Sequence, residues 1–124
     1  MKIYNLIQIK QVFAQHYHEK LSARLSYKIY KLCNIIEQEE TFFNNRHQSI
    51  IEDFAERDEN GQIIIDNRGL VQIISAKAEE AQAALNELAS IDVDTPSISF
   101  TIEELSEIKL SVHDMALLEC LIEE

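Results

Sequence analysis

The chain has 124 residues and a net charge of −11 at pH 7, from 11 basic and 22 acidic residues. Apolar residues make up 46 % of the sequence, with only two glycines and one proline, which favours long helices around one core and argues against a turn-rich all-β domain. A net acidic chain also lacks the basic face that displaces counterions from DNA, which argues against direct nucleic-acid binding by the whole molecule.

Two helices are predicted for residues 1–57. From Lys2 to about Glu19, apolar residues recur at steps of three and four, which is typical of one buried helix face. Residues 2–7 also alternate in polarity and fit a short strand almost as well. From Leu25 the same spacing continues to Phe54 and predicts a helix of about thirty residues, roughly 45 Å long. Either of two serines can cap its N-terminus, Ser22 or Ser26.

A break at residues 58–69 separates the two clearest helical stripes. Gly61 ends the long helix, and the β-branched run at 62–66 with turn residues at 67–69 predicts either a short β-hairpin or an extended loop. The stripe over 70–91 predicts a second long helix. Two long helices joined by a short connection indicate a long antiparallel helical hairpin, and no internal repeat is apparent.

Residues 92–124 predict a linker, a short strand and a C-terminal helix. The linker, residues 92–97, contains the only proline, and the alternating polarity of residues 98–102 indicates a strand. Capping boxes at Thr101–Glu104 and Ser111–Asp114 open a helical turn and the last helix. That helix carries one apolar face, expected to pack on the base of the hairpin: Val112, Met115, Leu118, Leu121 and Ile122. The whole chain is therefore predicted to be a single, mainly α domain with minor β structure.

Acidic residues are concentrated in the second half of the chain. Residues 1–50 hold seven basic and four acidic residues, whereas residues 51–124 hold four basic and eighteen acidic residues. This asymmetry fits ordinary solubility and helix-surface charge, and it also fits a negative surface matched to a basic protein, including one whose own ligand is nucleic acid. The candidate partner-binding residues are acidic side chains of the second hairpin helix and the linker: Glu79, Glu80, Glu87, Asp92 and Asp94.

The residues show no spacing typical of a catalytic, cofactor or metal site. His16 and His18 would lie about 200° apart on a helix and could not share one metal ion. Cys33 and Cys120 both fall on apolar faces, which favours two buried free thiols over a disulfide. Catalysis would require distant residues to converge, for example His16 or His18 with Asp114 and Cys120. We therefore predict no enzymatic activity, no cofactor and no bound metal.

The apolar segments of the sequence indicate the cellular location of the protein. Lys2, Asn5 and Lys10 interrupt the first apolar residues, so we expect no signal peptide. No apolar stretch approaches the roughly 20 residues needed to span a bilayer, so we expect no membrane association. The predicted location is a reducing cytoplasm.

Several short segments occur in an order that resembles a known group of proteins. They are Lys2-Ile3, Leu25-Ser-Tyr-Lys-Ile29, Phe54-Ala-Glu-Arg-Asp-Glu-Asn-Gly61, Leu85-Asn-Glu-Leu88, Ile91-Asp-Val-Asp94, Leu117-Leu118-Glu119 and Leu121-Ile122-Glu-Glu124. In this order the chain resembles small helical proteins encoded by phages and prophages of Gram-positive bacteria. The resemblance brings no catalytic activity and no site residues with it. It implies a location in the host-cell cytoplasm.

The resemblance implies two functions for a small acidic phage protein. The first is inhibition or modulation of a host or defence protein, with the acidic surface placed where nucleic acid would bind. The alternative is a structural or assembly protein of the phage particle that acts through helical self-association. A long hairpin covered by one short helix leaves apolar surface, so we expect a homodimer or a heteromer with a protein partner.

Overall fold

The computed structural model describes residues 1–123 and is mainly helical with a small two-stranded sheet, as predicted. The helices and strands are α1 (Ile3–Ala14), α2 (Ala23–Asp53), α3 (Ala78–Ala89), β1 (Phe100–Thr101), α4 (Ile102–Leu105), α5 (Val112–Leu118) and β2 (Ile122–Glu123), with 3₁₀ turns at Ser75–Lys77 and Glu119–Leu121. The chain divides into two compact units. The first unit is Met1–Glu40 with the described residues from Asp92 onward, and the second unit is Thr41–Ile91. The single domain stays a prediction.

The first unit holds most of the apolar core. Of the buried apolar residues, 16 lie in the first unit and four in the second. The apolar stripe of α1 packs with the first half of α2, and the aromatic rings of Phe13 and Phe100 lie 5.3 Å apart between centroids. The helix α1 ends at Ala14, earlier than the predicted Glu19, because the chain there enters turns in which the His16 N–H donates to the Phe13 carbonyl.

Ser22, one of the two predicted caps, begins α2. Its Oγ accepts a hydrogen bond from the Leu25 N–H at 3.3 Å, and the Ser26 N–H donates to its carbonyl at 2.9 Å. The Ser22 hydroxyl and N–H also donate to the Glu107 carboxylate, at 2.6 and 2.8 Å, and these bonds lower the pKa of Glu107. The helix ends at Asp53, four residues before the predicted end at Arg57.

Both predicted capping boxes are present. Thr101 and Glu104 exchange side-chain and backbone hydrogen bonds at the start of α4, and Ser111 and Asp114 do the same at α5. The strand predicted over residues 98–102 is shorter, because Thr101 is the N-cap and the next residue is already helical. The strand β1 pairs in parallel with β2.

Three short strands, residues 54–58, 62–66 and 70–74, form a closed triangle in the second unit. Each strand pairs with both others through isolated bridges, Arg57 with Ile63, Ile65 with Val71, and Ala55 with Ile73. At the centre, the N–H of Ile64 donates to the carbonyl of Glu56 at 2.9 Å. The N–H of Gln72 donates to Ile64 at 3.0 Å, and that of Glu56 to Gln72 at 2.7 Å. We name these three strands the strand triangle.

Two turns with the same hydrogen-bond pattern connect the strands of the strand triangle. Asp58 Oδ1 accepts from the N–H groups of Asn60 and Gln62, and Asp66 Oδ1 accepts from the equivalent N–H groups of Arg68 and Leu70. The glycines of the two turns have φ of +79°, a left-handed conformation that favours glycine. The bonds from Leu70, Arg68 and Gln72 lower the pKa of Asp66.

The strand triangle corrects two expectations. The segments from Asp58 and from Asp66 follow one pattern, Asp-x-x-Gly-x-(Ile/Val)-x-Ile, so the sequence does contain an internal repeat with a period of eight residues. The helix predicted from Leu70 begins only at Ala78. The positions of Val71, Ile73 and Ile74 fit both the spacing of a helix face and the alternation of a strand. This segment is a strand because it forms hydrogen bonds with the two neighbouring strands.

The helix α3 and the last part of α2 line a common groove, where the sequence predicted a longer helical hairpin. This groove encloses about 190 Å³ and is lined by Phe42, Arg46, Ile50, Ala84, Glu87, Leu88 and Ile91. Only Ile50 and Leu88 of these side chains are fully buried. The second unit therefore has a thin core and exposes much of its apolar surface.

Candidate functional site

The five predicted acidic residues do not lie on one element. Glu79, Glu80 and Glu87 lie on α3 in the second unit, and their side chains are exposed and form no hydrogen bond or ion pair among the described residues. Asp92 and Asp94 belong to the first unit, and Asp92 forms an ion pair with Lys2 at 3.0 Å. The hydrogen bond from Lys2 lowers the pKa of Asp92, so this carboxylate already has a partner within the chain. The side chains of Asp94 and of the three α3 glutamates are exposed and remain available to a partner.

The C-terminal segment builds an apolar groove that was not among the predicted sites. The groove encloses about 460 Å³ and is lined by Ile102, Val112, Met115, Ala116, Glu119 and Ile122. A smaller cavity of about 210 Å³ adjoins it through Ile102 and Met115. Val112 is 89 % exposed and Ile102 is 57 % exposed, which are high values for β-branched side chains. We refer to the larger cavity as the α5 groove.

Local structure explains why these two side chains are exposed. Ile102 and Val112 are each the first residue after an N-cap, Thr101 and Ser111 respectively. The capping boxes fix where each short helix starts, so the apolar face of α5 buries Leu118 and leaves Val112 at its solvent end. This corrects the expectation that the whole apolar face of the last helix packs inward. The sequence signal that could have indicated this exposure is an apolar β-branched residue directly after a helix N-cap.

Acidic side chains accompany the α5 groove. Residues 92–124 carry nine acidic residues and one basic residue, Lys109. Glu119 lines the groove, and Glu103 and Glu123 directly follow lining residues in the sequence. The side chains of these three glutamates are exposed and form no hydrogen bond or ion pair within residues 1–123. The α5 groove therefore combines apolar lining with negative charge.

Glu104, beside the α5 groove, has a structural role. Its Oε1 accepts from Lys28 Nζ at 2.7 Å, and the same ammonium donates to the Ser99 carbonyl at 2.9 Å and lies 5.8 Å from the centre of the Phe100 ring. The hydrogen bond from Lys28 is the main reason that the pKa of Glu104 is lowered. This ion pair joins α2 to the start of α4 and leaves Glu104 unavailable to a partner.

The residues named for a convergent catalytic site do not meet. His16 Nδ1 forms a close contact with the Glu19 carboxylate, His18 packs edge-on against Tyr17, and Asp114 caps α5. Cys120 lines a second cavity of about 520 Å³, which shares Ala116 and Glu119 with the α5 groove and is otherwise lined by Met1, Asn5, Thr95 and Leu117. No His or Asp side chain lines that cavity.

The two cysteines differ in exposure. Cys33 is buried, as expected, whereas Cys120 is exposed, and both thiols are free. Desolvation by the surrounding protein raises the pKa of the buried Cys33 thiol and also that of the Cys120 thiol, which lowers the fraction of reactive thiolate at neutral pH. Within residues 1–123, no three His, Cys, Asp or Glu side chains lie close enough together to hold a metal ion.

Neither a membrane-spanning helix nor a similar known protein was found for the described residues. No helix within residues 1–123 combines the length and apolar character needed to cross a membrane. Comparison with protein-family models, curated proteins and solved structures gave no match to this chain. Structurally the chain belongs to the mainly α class, and its functional interpretation rests on its own residues.

Proposed function

We propose that the protein is a non-catalytic phage or prophage protein that binds a host or defence protein in the host cytoplasm and inhibits or modulates it. The observation that carries this proposal is the α5 groove, an exposed apolar site accompanied by unpaired glutamates. Exposed apolar patches with a polar rim are typical of protein interaction sites. The partner segment that fits carries apolar side chains for the groove and basic side chains for Glu103, Glu119 and Glu123.

The apolar contacts supply most of the affinity in this proposal. Removing an isoleucine or valine side chain from water contributes about 1.5–3 kcal/mol, whereas an exposed ion pair contributes about 0–1 kcal/mol. Burial of Ile102 and Val112 therefore outweighs the pairing of any one glutamate. The acidic side chains contribute to selectivity and to the association rate instead.

The exposed glutamates of α3 form a separate negatively charged surface, which belongs to the second unit. Glu79, Glu80 and Glu87 present negative charge without internal partners, as a surface that imitates nucleic acid would. A basic nucleic-acid-binding partner would be attracted to this charge over about a Debye length, roughly 10 Å at 0.1 M salt. The proposed effect is competition with the partner's own ligand.

Affinity capture tests the proposed function. Tagged wild-type protein and an Ile102→Lys variant are incubated with nuclease-treated lysates of infected and uninfected host cells, and bound proteins are identified by mass spectrometry. We expect the wild type to enrich one host or defence protein from both lysates, and Ile102→Lys to lose it. The matched control is Ile65→Lys, because Ile65 is 58 % exposed, close to the 57 % of Ile102, and lies in the second unit.

Two outcomes count against this function. Equal capture by the wild type and Ile102→Lys would show that the α5 groove is not the binding site. Enrichment of virion proteins alone, and only from infected cells, would favour the alternative function in particle structure or assembly. The exposed apolar residues of the second unit, Ile64, Ile65 and Leu70, support that alternative.

A further inference from the structure

The strand triangle has an open edge along residues 62–66. The N–H and C=O groups that pair within the triangle belong to Gln62, Ile64 and Asp66 on this strand. Successive residues of a strand direct their backbone groups to opposite edges. The N–H and C=O groups of Ile63 and Ile65 therefore point outward, and no hydrogen bond engages them within the described part of the chain.

This edge lacks the features that normally protect a strand edge. Natural edges carry lysine, proline, an inward-pointing charge or a covering loop. Here the sequence is Gln62-Ile-Ile-Ile-Asp66, with no charge at its centre, and Ile64 and Ile65 are 38 % and 58 % exposed. The three β-branched residues also have high strand propensity.

The other two outer edges of the strand triangle are less accessible. Val71 and Ile73 are half-buried on the third strand, and Ala55 is buried on the first, where Arg57 supplies a charge. In the eight-residue repeat, Arg57 of the strand at 54–58 corresponds to Ile65 of the strand at 62–66. The strand at 62–66 therefore has an apolar residue where the strand at 54–58 has a charged one.

We propose that this edge pairs with the same edge of a second copy of the chain, in antiparallel orientation around a two-fold axis. A second copy presents the required donors and acceptors at the required spacing, as an isologous interface demands. With Ile64 opposite its own copy, Ile63 of each chain pairs with Ile65 of the other and four backbone hydrogen bonds form. Residues 63–65 of one chain are then paired with residues 63–65 of the other.

The proposed register brings no like charges together along the paired edge. The protein has a net charge of −11, so two copies repel each other over most of their surface. In the proposed register Asp66 lies opposite Gln62 of the second chain, and no like-charged pair is formed. The pairing also covers Ile64 and Ile65, which the thin core of the second unit leaves exposed.

The interface is short, so the expected dimer is weak. Stable interfaces bury about 1,600 Å² in total, and a pair of five-residue strands buries less, which corresponds to a dissociation constant of roughly micromolar or weaker. Sedimentation equilibrium of the purified chain, from low micromolar to about millimolar concentration, should show a reversible monomer–dimer equilibrium.

Amide hydrogen exchange locates the interface at residue level. We expect the amides of Ile63 and Ile65 to exchange rapidly at low concentration and to become protected as dimer forms. The Ile64 amide, which donates within the strand triangle, should be protected at all concentrations. A dimer in which the Ile63 and Ile65 amides exchange at an unchanged rate would overturn the proposal, as would a monomer throughout the concentration range.

Ile65→Lys and Ile102→Lys form a matched pair of variants. Both replace an isoleucine of nearly equal exposure and add one positive charge. We expect Ile65→Lys to weaken dimerisation at least tenfold and Ile102→Lys to leave it unchanged. Equal weakening by both would contradict the proposed edge. Because partner capture depends on Ile102 and dimerisation on Ile65, failure of one proposal is distinguishable from failure of the other.

Discussion

At the residue scale, the most consequential polar contact is the ion pair of Lys28 and Glu104. The Glu104 side chain is only 12 % exposed, and its Oε2 is buried without a hydrogen-bond partner among the described residues. The sequence revealed the capping role of Glu104 because that contact spans three residues. The partner Lys28 lies 76 residues away in the sequence, and only folding brings the two together.

We predict that Glu104→Gln destabilises the protein in a pH-dependent manner. The folded-state pKa of Glu104 is lowered, so its contribution to stability is fully present above the unfolded pKa of about 4.3 and is lost as pH falls through the folded pKa. The loss of stability in the variant should therefore be large near neutral pH and should disappear at low pH. Thermal unfolding followed by circular dichroism measures this difference.

Glu103→Gln is the matched control for the ion pair. Glu103 occupies the preceding position on α4, and its side chain is exposed and forms no hydrogen bond or ion pair within residues 1–123. Its melting temperature should follow that of the wild type at every pH. A pH-independent effect of Glu104→Gln would contradict the assigned role of the carboxylate charge.

At the element scale, the strand triangle is the part of the fold that sequence patterns described least well. Its turns were predicted, because Asp and Gly at these positions are strong turn signals. Its strands were divided wrongly between a hairpin and a helix. The central hydrogen bonds join residues eight and sixteen positions apart, Glu56, Ile64 and Gln72, and such pairing has no signal in a window of helical periodicity.

We predict that Gly61→Ala and Gly69→Ala destabilise the protein by similar amounts. Both glycines have φ of +79°, and an added Cβ would meet nothing within 4 Å, so the cost is backbone strain alone. That cost is about 1–2 kcal/mol for an L-residue in the left-handed region. Chemical denaturation measures it. Asn at either position should cost less than Ala, and a markedly unequal effect of the two alanines would show that the turns are not equivalent.

At the scale of the whole molecule, negative charge is shared by both units. The first unit has seven basic and thirteen acidic residues, and the second has four and nine, so their net charges are −6 and −5. The asymmetry between halves of the sequence therefore does not separate an acidic unit from a basic one. The chain returns its acidic C-terminal segment to the unit that contains most of the basic residues.

We predict that charge reversal on α3 slows association with the proposed partner. The triple variant Glu79→Lys, Glu80→Lys, Glu87→Lys should lower the association rate constant about tenfold at low salt and leave the dissociation rate nearly unchanged, because distant charges act mainly on the encounter. Surface plasmon resonance with the captured partner measures both constants. Association of the wild type should also slow as salt is added. An unchanged association rate constant would show that the α3 glutamates do not contribute to partner binding.

The sequence alone determined the mainly α class, the apolar stripes of α1 and α2, the Ser22 cap and both capping boxes. Each of these depends on residues three or four positions apart, whose interactions form within a single element. Tertiary structure alone decided the pairing of the strand triangle, the exposure of Val112 and Cys120, the partner of Glu104 and the α5 groove. These depend on which distant residues meet, and a local pattern does not encode that information.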